Sequence, residues 1–477
     1  MTFFMLCVTE AAILLILLSL YRIDSKPDLA SFALSFPGVL LTVCSLAAAS
    51  SITWIVRTFR GSTSAERKLM IMALGMNLIT LMLTIGSAEM FVRLLAVQAP
   101  AGPIFLGKRL YPRLWTEVVA RHKVTIDRMT HESTYIVPDA VLGWTSPPNR
   151  RDSTGLYISS LEGIRSSKLG LSFADPGSRL SRIAAQTPAT RIAVIGDSMA
   201  YGHEVKCEDS WGHVLEERLG PDVQLLNFAV SGYGVNQALL KYQKDVRPWH
   251  PKIVLIGVTS EMLWRMMSVY EFLIYPQHVD LPFARPRLII EGEHLRPIFQ
   301  LVPSPTELFS TNLLTDLPHL HQDRFYSHLD WERRGLWRVL ESSYVFRFLN
   351  SVRRPSTDYL RKEVSDSAMA VLSQRIFRDL LGGIQADGGT PLIVHFPYKW
   401  ELRQVADRGS AYIPLGVQLL RNAGIDFYDA TPCLLESKAL EGFEPGGHYS
   451  PLANATIAQC LLTVLETYGL KIPVALP

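Results

Sequence analysis

Apolar residues are distributed in two regimes along the chain. Over the first hundred positions they form three nearly unbroken blocks, Phe3–Tyr21, Phe36–Val56 and Leu69–Val97. Each is close to the ~20 residues that a helix needs to cross a bilayer. From about residue 190 onward they come instead in short β-branched runs that alternate with stretches of helical period. Arg191–Ile195, Val223–Phe228, Ile253–Val258, Pro391–Phe396 and Asp426–Tyr428 read as strands. Trp211–Leu219, Gln237–Val246, Ser367–Leu381, Val417–Asn422 and Leu452–Tyr468 read as helices. This rhythm predicts a parallel sheet with helices on both faces.

The pattern divides the chain into a three-helix transmembrane anchor (1–97), a linker and lead-in segment rich in proline and basic residues (98–190), and an α/β domain (191–477). The rhythm breaks at about 259–364, which reads as an insertion over the active edge of the sheet, with Leu288–Leu295 as a short hairpin. The first apolar block has no basic leader and no small-residue cleavage site, so it reads as a retained anchor. Arg57, Arg60, Arg67 and Lys68 follow the second block, whereas Arg22 and Lys26 after the first are diluted by Asp24 and Asp28. That excess of basic residues marks the second connection as cytoplasmic and predicts that everything after about residue 98 lies outside. Glu89 and Arg93, four apart in the third block, either pair along one helix face or lie at the interface.

Composition narrows the chemistry. Hydrophobic residues make up 48% of the 477 positions, and the formal net charge of +3 is too small to suggest a nucleic-acid partner. Of five cysteines, Cys7 and Cys44 fall in apolar blocks. Cys207, Cys433 and Cys460 show no metal-ligand spacing and read as three small buried residues rather than a disulfide framework. Neither a metal nor a cofactor is expected.

The strand Arg191–Ile195 stops abruptly at Gly196-Asp197-Ser198, which delivers a serine to the carboxyl edge where open α/β sheets put their ligands. Near the end of the chain, Gly446-Gly447-His448-Tyr449-Ser450-Pro451 opens the last helix. A serine and a histidine so placed suggest a nucleophile and its base. Between them, Asn227-Phe-Ala-Val-Ser-Gly232 closes the second strand, and glycine at 232 lets the backbone approach a ligand closely.

In this order the three motifs resemble the SGNH (GDSL-like) hydrolases, over about Asp139–Tyr468. The likeness is nearest to membrane-anchored bacterial members with an upstream Leu-Gly-Trp…Pro-Asn segment, here Leu142-Gly143-Trp144 and Pro148-Asn149. It implies a flavodoxin-like three-layer α/β/α sandwich, preceded here by about three transmembrane helices. It further implies Ser198 as nucleophile, His448 as base, and the amides of Ser198 and Gly232 as oxyanion donors. Two family features are missing. The asparagine of the third block is replaced in Gly257-Val258-Thr259-Ser260, where the hydroxyl of Thr259 or Ser260 is the substitute donor. The aspartate three residues before the histidine is replaced by Pro445. Glu444 or Asp429 is then the candidate acid, unless Ser198 and His448 act as a dyad.

Two functions follow from the resemblance. One is a serine esterase or acyltransferase of the inner membrane with its large domain periplasmic. It would remove or transfer O-acyl groups on a cell-envelope or secreted glycan or small ester. The other is a degenerate relative that binds glycan beside a membrane acyltransferase. Elsewhere the plain reading is preferred. His203 and Glu204 read as a solvated loop, His395 as a satisfied edge histidine, and Trp264, Trp331 and Trp337 as core.

Overall fold

The computed structural model describes residues 53–99, 102–132, 134–175, 178–180, 190–278, 280–352, 367–437 and 442–467. The first expected membrane span and most of the second lie outside the described residues. Contacts within the chain divide it into two units: Met1–Val118 with Ser327–Pro355, and Val119–Tyr326 with Ser356–Pro477.

In the first unit, helix α1 (Ser64–Leu95) is the one helix among the described residues long and apolar enough to cross a membrane. A capping box starts it: the Thr63 N–H donates to the Glu66 carboxylate at 2.7 Å, and the Glu66 N–H donates to the Thr63 hydroxyl at 3.4 Å. Leu69, Met72, Met76 and Leu83 stand exposed along it. Glu89 and Arg93 do pair, at 2.6 Å. The Glu89 carboxylate also accepts from the Tyr344 and Val345 N–H groups at 2.9 and 3.0 Å. It thereby satisfies the free amides of helix Tyr344–Ser351, where a negative charge is favoured. Ser327–Pro355, part of the expected insertion, thus groups with the amino-terminal unit.

The second unit is built on a sheet of five parallel strands. Helix α2 (Trp115–His131), in a stretch that reads as extended lead-in, spans the boundary between the units. The chain then runs β1 (Thr190–Ile195), α3 (Trp211–Leu219), β2 (Val223–Asn227), α4 (Val235–Lys241), β3 (Ile253–Val258), α5 (Ser367–Ala386) and β4 (Thr390–His395). It continues with α6 (Lys399–Arg408), α7 (Leu415–Asn422), β5 (Tyr428–Asp429) and α8 (Pro451–Thr467). The strand order is 2-1-3-4-5, the doubly wound flavodoxin-like order. Every residue of β2 and β3 is buried, as expected of strands covered on both faces. Right-handed crossovers explain the layers: the step from β1 to β2 runs opposite to all later steps, so its helix falls on the other face. Accordingly α3 packs with α8, while α4 and α7 pack with α5. The hairpin expected at Leu288–Leu295 forms from Leu288–Glu291 and His294–Pro297.

The cysteine expectation needs correction. Cys433 and Cys460 form a disulfide with a Cα–Cα distance of 6.6 Å, and only Cys207 stays buried and free among the described cysteines. Helix Thr431–Glu436 packs on α8, and this packing brings the two thiols together.

Candidate active site

Ser198 opens a single helical turn, Ser198–Tyr201, at the carboxyl end of β1. Asp197 caps this turn and is fully buried. One carboxylate oxygen accepts from the Met199 N–H at 3.0 Å. The other accepts from the Thr259 hydroxyl at 2.8 Å, the Arg265 guanidinium at 3.0 Å and the Tyr398 hydroxyl at 3.2 Å. A buried charge is tolerated only when paired and bonded in this way, and the pairing fixes the turn that carries the serine. Burial opposes the Arg265 charge, yet Tyr275, Tyr398, Glu261 and Asp197 outweigh it and hold the guanidinium well above its ordinary pKa.

His448 lies 2.9 Å from the Ser198 hydroxyl through Nε2. Its Nδ1 lies 2.6 Å from the Glu204 carboxylate. Both proposed acids are therefore corrected. Asp429 is bonded instead to His395, at 3.0 Å on β4. Glu444 meets His448 only through the backbone, its N–H donating to the His448 carbonyl at 2.8 Å. Glu204 holds the acid's place, six residues after the serine and in left-handed backbone at φ 67°. The same carboxylate accepts from the Gly446 and His448 N–H groups at 2.8 and 3.1 Å. Its pKa falls to about 2, first through the His448 ring bond and then through these amides. A Cβ at Gly446 would sit 2.4 Å from the Glu204 carboxylate oxygen, so any larger residue there would push that carboxylate out of its place.

His203 also departs from the expected solvated loop. It stacks on Tyr157 at 4.7 Å, touches the His448 ring at 4.7 Å, and its Nδ1 lies 3.1 Å from the Ser231 hydroxyl. Burial, followed by the neighbouring His448, lowers its pKa to about 3, so it stays neutral.

The Gly232 amide is aimed from behind. The Trp144 indole N–H donates to the Ser231 carbonyl at 3.0 Å. In a trans peptide the following N–H points the opposite way, so this bond turns the Gly232 N–H away from Trp144. Arg285 holds the next carbonyl, that of Gly232, at 2.8 Å. Gly232 adopts φ 83°, and a Cβ there would press on Trp144 at 3.3 Å. The Leu142-Gly143-Trp144 segment is tied down in turn, with Tyr233 and Gln237 donating to the Trp144 and Leu142 carbonyls at 2.6 and 2.8 Å. Thr259 is corrected as an oxyanion donor: it is fully buried and its hydroxyl hydrogen goes to Asp197. Ser260 is no substitute, since its hydroxyl donates to Glu401.

Ser198, Glu204, Gly232 and His448 line one cavity of about 890 Å³, together with Glu261, Arg265, Tyr398 and Trp400. No group of acidic, histidine or cysteine side chains among the described residues has the arrangement of a metal site. Trp264 and Trp331 are buried, as the core reading expects, and His395 is the bonded edge histidine.

No protein-family model matches the chain, and no curated protein does. Solved structures do. One, described as lipolytic and of the G-D-S-L family, from Desulfitobacterium hafniense, matches at 12% identity and TM-score 0.28 over 58% of this chain and 99% of its own. A lipase/acylhydrolase from Enterococcus faecalis matches at 10% and 0.32, over 60% and 100%. The acetylxylan esterase Axe2 from Geobacillus stearothermophilus matches at 12% and 0.28, over 58% and 94%. These matching structures are lipolytic hydrolases and esterases. Values this low leave the reading of the site to its own geometry.

Glu204 is the candidate acid that the sequence reading missed. The family pattern points to the residues before the histidine, and nothing local marks a glutamate beside the nucleophile. The one available signal was negative: Pro445 has no acid, while two glycines precede the histidine and leave room for a carboxylate from elsewhere.

Proposed function

We propose that this chain is an SGNH-type serine esterase or acyltransferase. The observation that carries the reading is the unbroken relay of Ser198, His448 and Glu204, with links of 2.9 and 2.6 Å, on the wall of one cavity. Ser198 Oγ attacks the ester carbonyl while His448 Nε2 takes its proton. Glu204 stays ionised, holds the imidazole in the tautomer with a bare Nε2, and offsets the charge that the ring acquires. The Ser198 and Gly232 amides receive the negative charge that develops on the carbonyl oxygen, a role for which each donor is worth about 3 kcal/mol. The intermediate then collapses, the C–O bond breaks, and His448 returns its proton to the departing alcohol. A water or a sugar hydroxyl, deprotonated by His448, then attacks the acyl carbon, the bond to Ser198 Oγ breaks, and His448 returns the proton to Oγ.

The substrate we infer is an O-acylated glycan of the cell envelope, met by a membrane-bound protein on the outer side of the membrane. The apolar helix α1 and the Cys433–Cys460 disulfide support that location, since disulfides persist in oxidising compartments. A topology reporter fused after Pro477 that reads as cytoplasmic would overturn it. The catalytic reading is tested by treating the purified chain and its Ser198→Ala variant with a fluorophosphonate that labels activated serines. Labelling of the parent and none of the variant is the expected result. A folded parent that is not labelled would instead favour a glycan-binding subunit beside a membrane acyltransferase.

A further inference from the structure

A second cavity, of about 530 Å³, lies against the catalytic one. Its walls include Trp264, Trp400, Gln404, Tyr412 and Gln418, and Glu261 and Trp400 line both cavities. The ridge between them is α6, which follows β4 at the edge of the sheet where α/β folds place their ligands. Trp400, Arg403 and Gln404 stand at i, i+3 and i+4, one face of that helix. Arg403 lines the catalytic cavity, Gln404 the second, and Trp400 both.

The chemistry of the second cavity suits a neutral sugar. Trp400 is 38% exposed, a large indole left open on a ridge, and the Tyr412 ring stands 6.4 Å from it at 71°. Rings with an apolar face and a polar edge suit the C–H face and hydroxyls of a pyranose. The Gln404 amide nitrogen adds a donor and the Gln418 amide oxygen an acceptor, while the Gln418 nitrogen is used on the Ile413 carbonyl at 3.1 Å. The charged groups on its wall each have a bonded partner. Glu261 is bonded to Arg265 and Tyr275, and the Arg408 guanidinium donates to Gln404 Oε1 at 3.2 Å.

We propose that this cavity holds a sugar unit of the acylated glycan, next to the unit whose ester meets Ser198, with Trp400 as the platform between them. The proposal rests on the catalytic reading above, because Ser198 defines where the ester lies. Trp400 and Tyr412 are then specificity-determining residues. The test uses the full-length chain in detergent with acetylated β-1,4-linked glucose mono- and tetrasaccharides as probes. The expected kcat/KM rises about tenfold from the monosaccharide to the tetrasaccharide, a gain typical of one added aromatic contact. Tyr412→Ala and Gln404→Ala cancel most of that gain, and Tyr412→Phe, which keeps the ring, retains it. Thermal melts establish that each variant is folded. Equal kcat/KM for both probes, or a gain that survives in both alanine variants, overturns the proposal.

A binding measurement separates this failure from failure of the catalytic reading. The Ser198→Ala chain is titrated with the same tetrasaccharide, and Tyr412→Ala is expected to weaken binding about tenfold. No binding, or binding unchanged by Tyr412→Ala, overturns the sugar site even where Ser198 is labelled by fluorophosphonate. Binding that responds to Tyr412 upholds it even where Ser198 is not.

Discussion

Glu204 carries two functions, and a single substitution tests both. Glu204→Gln keeps the shape but exchanges a charged acceptor for an amide, so His448 loses the partner that fixes its tautomer. A fall in kcat of about two to four orders of magnitude is expected, with far less change in KM, measured on a small ester. The same variant alters the dependence of stability on pH. The folded-state pKa of Glu204, about 2, lies below its ordinary 4.5. As pH falls, the unfolded chain therefore takes up this proton first. The stabilisation from Glu204 is complete above about pH 4.5 and is gone once the pH has fallen through about 2. Denaturation curves over that interval should lose this component of their slope in Glu204→Gln. Ser198, Gly232 and His448 were legible as types at strand and helix ends. Glu204 was not, because its partnership spans 244 residues and depends on a left-handed turn and on the missing side chain of Gly446.

At the scale of elements, the strands and most helices of the sheet unit were readable because burial on both faces imposes continuous apolar runs. α6 was missed for the complementary reason. Lys-Trp-Glu-Leu-Arg-Gln-Val-Ala-Asp-Arg buries only Glu401 and Leu402, so it carries too few apolar residues to stand out from a polar loop. The strand pair Val137–Asp139 and Gly143–Thr145 falls in the stretch whose pattern predicts only a lead-in, although its Trp144 bonds the carbonyl that precedes the Gly232 amide. Trp144→Phe preserves the stacking on Phe283 but removes the indole N–H. The expected result is a rate of fluorophosphonate labelling at Ser198 about tenfold lower, since a peptide free to rock stabilises the oxyanion less. A variant labelled at the parental rate would show that Arg285 alone suffices to aim the amide.

At the scale of the whole molecule, the order 2-1-3-4-5 brings the relay together from distant parts of the chain: Ser198 and Glu204 share one turn after β1, and His448 arrives from just before α8. Two thirds of the relay is thus local in sequence, and its geometry depends on how one late segment is seated. That segment is enclosed. Cys433 and Cys460, 27 residues apart, bracket His448 on both sides. Opening the bond by Cys433→Ser with Cys460→Ser is expected to lower stability by about 3 kcal/mol, measured by chemical denaturation. Its effect on turnover should be larger than that loss implies, because the freed loop is the one that presents the base. The disulfide is a covalent hoop around the histidine, so a reductant acts on this protein as a dimmer. It loosens one catalytic partner while the sheet and the other two stay in place, and activity should fade before the fold does.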